Sequence, residues 1–275
     1  MTEPTSPSPR PPSPASLYVS GRRAGPGASA ELMTMIVRSL RLSLRNVDGL
    51  ITALALPVML MIMFVYFFGG AIHVGTRYID YVVPGVLLVC VGFGAGTTAV
   101  TVSSDLAGGI IDRFRSLDVR PASLLAGHVV ASLARNLASA TLAVAVAFLI
   151  GYHSGADVGQ WLEAIAILAL FVLAMSWFAA AIGIMARSPE GAQGITFLIS
   201  FLPYPSSAFV PIRTMPSWLQ GFARHQPVTA VIDSLRALLA GHAPGAAAWH
   251  AVGWSAGIGV VSVAVAGVLF TRRVR

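Results

Sequence analysis

The strongest constraint on this chain is how often its sequence stays apolar for the thickness of a lipid bilayer. Residues 50–68, 81–104, 122–150, 161–185, 191–210 and 247–270 are six such stretches. A helix of about 20 residues, rising ~1.5 Å per residue, crosses the ~30 Å hydrocarbon core. Inside that core each backbone N–H and C=O must find a partner within the protein, which for single segments means helix. Composition agrees, because only 11% of residues are charged and 56% are hydrophobic, against about 25% charged in soluble domains. The expected fold class is all-α: a polytopic membrane protein with six transmembrane helices.

The remaining segments have separate characters. Residues 1–28 are rich in Pro, Ser, Gly and Ala with no apolar run, which predicts a disordered tail ahead of one transmembrane domain over 29–275. In residues 30–46, Met33, Ile36, Val37, Leu40 and Leu44 share one helical face, and Glu31, Thr34, Arg38, Arg41 and Arg45 another. This predicts an amphipathic helix lying at the membrane interface. Residues 211–241 are too short and polar to span, yet too apolar for a solvated loop, and short re-entrant helices on the extracellular side fit them. Gly92-Phe-Gly-Ala-Gly96 follows no strand, so its glycines are expected to serve close helix packing rather than a dinucleotide. Arg135 and Asn136, within the third span, are expected near the inner boundary or deeper, where an arginine needs a reason or must snorkel.

Arginine placement sets the expected orientation. Six arginines precede residue 50, three lie in the 105–121 loop, one is Arg187 and three end the chain, thirteen on one side. Arg77, Arg213, Arg224 and Arg236 are the four opposite. The arginine-rich side is expected to be cytoplasmic, with both termini there. The net charge of +7 thus reads as membrane topology, and nucleic acid is not expected as a partner.

Between the second and third stretches, residues 105–121 hold the densest group of charges. If residues 107–117 are helical, Ile110, Phe114 and Leu117 lie on one face, and Gly109, Asp112, Arg113 and Ser116 on the other. That arrangement suits either a surface helix offering its polar side to a partner or a solvated turn between helices.

The chemistry open to the chain is narrow. All 18 basic Lys/Arg residues are arginines, and without lysine there is no Walker loop, no kinase strand lysine and no Schiff base. ATP, if used, must be bound by another chain. The single cysteine, Cys90, lies in an apolar run and forms no internal disulfide. The histidines lack the local spacing of a helical zinc site, Gly-x-Ser-x-Gly does not occur, and no catalytic, cofactor or metal residue is expected. Spans one, two, four, five and six carry no acidic residue in their apolar cores, which argues against ion-coupled transport.

Three stretches carry a resemblance: Asp105-Leu-Ala-Gly-Gly-Ile-Ile-Asp-Arg-Phe-Arg-Ser-Leu-Asp-Val-Arg-Pro, Phe209-Val-Pro-Ile-Arg-Thr-Met-Pro-Ser-Trp-Leu, and His225-Gln-Pro-Val-Thr. With the hydropathy pattern over residues 30–275, they resemble the ABC-2 type permease family of ABC exporters, in its branch of daunorubicin-resistance-like drug and lipid exporters. Asp112 stands where many relatives have Glu. The resemblance implies six helices per permease, two permeases side by side, identical or not, and separately encoded ATP-binding subunits below them. The loop helix becomes a cytoplasmic coupling helix, with Gly109, Asp112, Arg113, Arg115 and Ser116 facing the ATPase. Residues 211–241 become the outer gate, and Thr97, Thr98, Thr101, Phe197 and Phe201 are the implied contacts for substrate. The implied setting is the cell membrane and the implied cargo a hydrophobic or amphipathic drug, antibiotic or lipid-like compound. Export of a polysaccharide or glycolipid, and a non-transporting membrane anchor or sensor, are the alternatives.

Overall fold

A computed structural model describes residues 47–108 and 121–274. The tail 1–28, the interfacial helix expected over 30–46 and the loop helix with Gly109, Asp112, Arg113, Arg115 and Ser116 lie outside the described residues. The elements are α1 (Val47–Met63) continued by a π turn (Phe64–Phe68), α2 (Tyr78–Ala107), α3 (Pro121–Leu149), α4 (Val158–Met185), α5 (Pro189–Ser200), a 3-10 turn (Ile212–Thr214), α6 (Ser217–His225), α7 (Pro227–Leu239) and α8 (Ala246–Val274). No strand occurs among the described residues.

Among those residues, four helices, α2, α3, α4 and α8, are long and apolar enough to cross a membrane. Their bounds follow local chemistry. Asp157 caps α4 reciprocally: its carboxylate accepts from Gln160 N at 2.8 Å while Gln160 Oε1 accepts from Asp157 N at 2.9 Å, which satisfies two otherwise orphan donors. Ser188 caps α5 by accepting from Gly191 N at 3.1 Å, and Pro189 takes the first helical position, where its missing N–H costs nothing. Backbone and Ser188 hydrogen bonds hold the Glu190 carboxyl below its ordinary range.

The fifth apolar stretch departs from its expected extent. It is α-helical only through Ser200, and residues 201–209 are turns. Pro203 and Pro205 lack the N–H a continuing helix needs and restrict the residue before each of them. This helix of 12 residues, about 18 Å long, does not cross the hydrocarbon core by itself.

α2 is the central helix, buried along most of its length and packed by α1, α3, α4, α5 and α7. Small residues permit the approach of α5. A Cβ on Gly92 would stand 3.1 Å from Ser200 Cα, one on Gly96 3.4 Å from Thr196 Oγ1, and one on Gly85 2.8 Å from Ala208 Cα. On the facing helix, Ala192, Thr196 and Ser200 form a buried stripe four residues apart, so the seam is small-against-small packing, as expected for Gly92 and Gly96. Gly183 does the same for α4, where a Cβ would meet Ala99 O at 2.6 Å. α6 and α7 are too short to span. α7 nonetheless buries Val231, Ile232, Leu235 and Leu238 completely, seated against α2, α4 and α8.

Candidate functional site

The longest-range polar contacts gather at two levels of the bundle. At the first, α2, α3 and α4 meet around Ser132. The hydroxyl oxygens of Thr98 and Ser176 lie 2.7 and 2.8 Å from Ser132 Oγ, and all three residues are buried. Asn136 Nδ2 donates to the Ser132 carbonyl at 2.9 Å, and its amide lies so close to Gly94 that any side chain there would collide with it. Arg135 Nη2 donates to Thr98 Oγ1 at 3.2 Å. Thr98 sits nine residues from the end of α2, roughly 13 Å along the helix. Hydroxyl bridges of this kind lock the crossing of three helices where water is excluded.

At the second level, Arg236 of α7 ties three segments together. It donates to Asp233 Oδ1 at 2.8 Å, to the Ser207 carbonyl at 2.6 Å and to the Tyr81 carbonyl at 3.3 Å. Its guanidinium stacks 3.9 Å from the Tyr81 ring centroid, and the Ser207 hydroxyl donates to the same Asp233 oxygen at 2.6 Å. Burial pulls the guanidinium below its ordinary value, opposed by Tyr81 and Asp233; full pairing makes such a placement tolerable. Tyr78 adds a buried bond to the Phe209 carbonyl at 2.8 Å. From the other side, Ser154 donates to the Leu239 carbonyl at 2.9 Å and Arg77 to the Gly151 carbonyl at 3.0 Å. α7 is thereby fixed to the start of α2, to the 201–209 turns and to the α3–α4 loop.

The five path candidates fall in different environments. Thr98 faces the interior, in the cluster around Ser132. Thr97 is half-buried and Thr101 exposed, and both hydroxyls bond backward to their own helix, at Gly94 O (2.8 Å) and Thr97 O (2.7 Å). Phe197 and Phe201 are about half exposed, and their rings meet edge-on at 5.0 Å. They begin a row that continues through Tyr204 and Phe209 to Phe64 and Phe68, each ring centroid 4.3–5.4 Å from the next. Phe64, Tyr204 and Phe209 were not expected in this role. The spacing Phe197, Phe201, Tyr204 is legible as one helical face, but the step to Phe64 is a tertiary contact.

Apolar helices long enough to cross a bilayer, held together by polar groups turned inward, define a helical membrane protein of several passes. The chain is a member of the ABC-2 type transporter family, whose match covers residues 30–240. It is similar to the daunorubicin resistance ABC transporter permease protein DrrB1 of Streptomyces coeruleorubidus, 29% identical over 70% of this chain and 69% of that protein. It is also similar to two permeases of Mycobacterium tuberculosis. One is the probable doxorubicin resistance protein DrrC, 22% identical over 79% of each chain; the other is the doxorubicin resistance protein DrrB, 27% identical over 68% of each.

Proposed function

We propose that this chain is the membrane-spanning subunit of an ATP-driven exporter that moves a hydrophobic or amphipathic compound out of the cell. The family match over residues 30–240 supports this most, with relatives named for resistance to daunorubicin and doxorubicin. Lacking lysine, the chain draws its driving force from a separate ATP-binding subunit. That subunit docks on the loop between α2 and α3, where Gly109, Asp112, Arg113, Arg115 and Ser116 face it. The arginine distribution supports a cytoplasmic position for this loop and both termini, which puts the Arg236 assembly at the outer end.

A second permease packs beside the first, and cargo passes along the seam between them. Thr97, Thr101, Phe197 and Phe201 offer it a mixed hydroxyl and aromatic lining suited to an amphipathic molecule. Thr98 acts there as a positioning residue, holding α2 against α3 and α4. Closure of the ATPase pair tilts the helices, and the outward path opens when α7 leaves its seat.

The experiment is transport of daunorubicin into inside-out proteoliposomes holding this chain and a separately expressed ATP-binding subunit that co-purifies with it. Accumulation is expected with ATP and not with a non-hydrolysable analogue. Accumulation that follows a pH gradient and ignores ATP would refute the reading.

A further inference from the structure

The faces of α4 and α8 not packed on the core leave a groove between them. α4 and α8 run in the same direction and approach closely at Ala174 and Gly259, where a Cβ on the glycine would stand 3.7 Å from Ala174 Cβ. Two hollows open along this line, of about 450 Å³ at the Val158 end and about 500 Å³ deeper, and both are lined by Leu170. The groove runs from Glu163 and Trp249 at its mouth to Trp177 and Val263 at its far end. Fourteen residues of α4 separate Glu163 from Trp177, about 21 Å of helix. Half of a ~30 Å hydrocarbon core is about 15 Å, so with Glu163 placed at the head-group boundary a groove of this length crosses one leaflet and reaches slightly past the midplane.

Its lining is aliphatic and aromatic apart from the Ser255 hydroxyl, the Trp indoles and one charged group, the exposed carboxylate of Glu163 at the mouth. Trp249, 80% exposed, stands beside it, in the amphipathic role of a side chain at the head-group level. A carboxylate there repels an anionic head group and attracts an ammonium.

We infer that the α4–α8 groove seats an acyl chain of a phospholipid with an amine head group, whose ammonium pairs with Glu163. The assignment holds whichever way the chain is oriented, and it does not depend on the exporter reading.

The test uses the full chain in phosphatidylcholine vesicles, with Trp161, Trp218 and Trp254 changed to Phe so that the groove's own Trp177 and Trp249 are the fluorescent reporters. Phosphatidylethanolamine and phosphatidylglycerol, each with brominated chains, are added in turn. The ethanolamine lipid is expected to quench this groove fluorescence with at least threefold higher apparent affinity. Glu163→Gln, a surface change that does not threaten folding, should erase that difference, and Ala256→Leu, which fills the groove, should at least halve quenching by both lipids. Equal quenching by the two lipids, or a preference that survives Glu163→Gln, would mean ordinary surrounding lipid and overturn the inference. So would no quenching by either lipid together with chain-to-chain disulfides in Val260→Cys, which would place a second copy in the groove.

Discussion

His128 Nε2 lies 3.0 Å from Asp105 Oδ2, joining the last turns of α2 to the first turns of α3 across the base of the loop between them. Both side chains are largely buried, at 8% and 18% exposure. The pair ties together the two helix ends that flank residues 109–120, so under the coupling role proposed for that loop a push on it reaches α2 and α3 as one unit. Asp105→Asn or His128→Leu is therefore expected to lower transport per ATP hydrolysed by tenfold or more, while the assembled complex still migrates as one species. Transport and hydrolysis falling in the same proportion would show that the pair only stabilises the subunit.

Arg236 anchors α7 through side-chain and carbonyl acceptors. Arg236→Leu leaves the Ser207 and Tyr81 carbonyls without this donor and Asp233 without its cation. A loss of about 2–3 kcal/mol is expected, since each unsatisfied buried acceptor costs roughly 1–3 kcal/mol. Arg236→Lys should recover only part, because an ammonium cannot reproduce the planar fork over Tyr81. Thermal unfolding in detergent checks both variants, and an unchanged midpoint for Arg236→Leu would count against an anchored α7.

The α2 seam depends on absent side chains. Gly85→Ala and Gly183→Ala place a Cβ 2.8 Å from Ala208 O and 2.6 Å from Ala99 O. Each is expected to destabilise by about 1–3 kcal/mol, the usual cost of overpacking. Gly194→Ala and Gly257→Ala, with nothing within 4 Å of the added carbon, should be neutral. The four midpoints measured side by side test the packing directly.

Ser132 is the shared partner of Thr98, Asn136 and Ser176. Ser132→Ala is expected to cost about 0.6 kcal/mol, the average for a hydrogen bond between membrane helices, and at most roughly 1.7 kcal/mol. A double-mutant cycle with Ser176→Ala should return a non-zero coupling, and strict additivity would show that the hydroxyls act independently.

Much of this architecture was legible in the sequence. The long apolar stretches around Leu88, Leu168 and Val260 became α2, α4 and α8 with ends within a few residues of those expected, because length and apolarity decide a spanning helix before tertiary contacts act. The glycines at 92 and 96 were readable as packing surfaces for the same local reason. The end of α5 at Ser200 was less clear, since the apolar run continues past it and only Pro203 and Pro205 signal the break. The contacts of Arg236 were not legible. Tyr81 and Arg236 are 155 positions apart, and nothing local tells an arginine buried on a tyrosine from one turned to water. Thr97 and Thr98 differ by one position, yet one is half-buried and the other enters the Ser132 cluster, a distinction set by the rotation of α2 against α3.

The central claim is that this chain moves cargo only by borrowing ATP hydrolysis through the loop between α2 and α3. The most direct test is the ratio of cargo transported to ATP hydrolysed, in proteoliposomes holding this chain and its ATP-binding subunit, for the native chain and for Asp112→Arg combined with Arg113→Glu. The ratio is expected to fall at least tenfold in the variant, with membrane insertion and basal hydrolysis preserved. An unchanged ratio, or equal transport with the ATP-binding subunit omitted, would contradict the account.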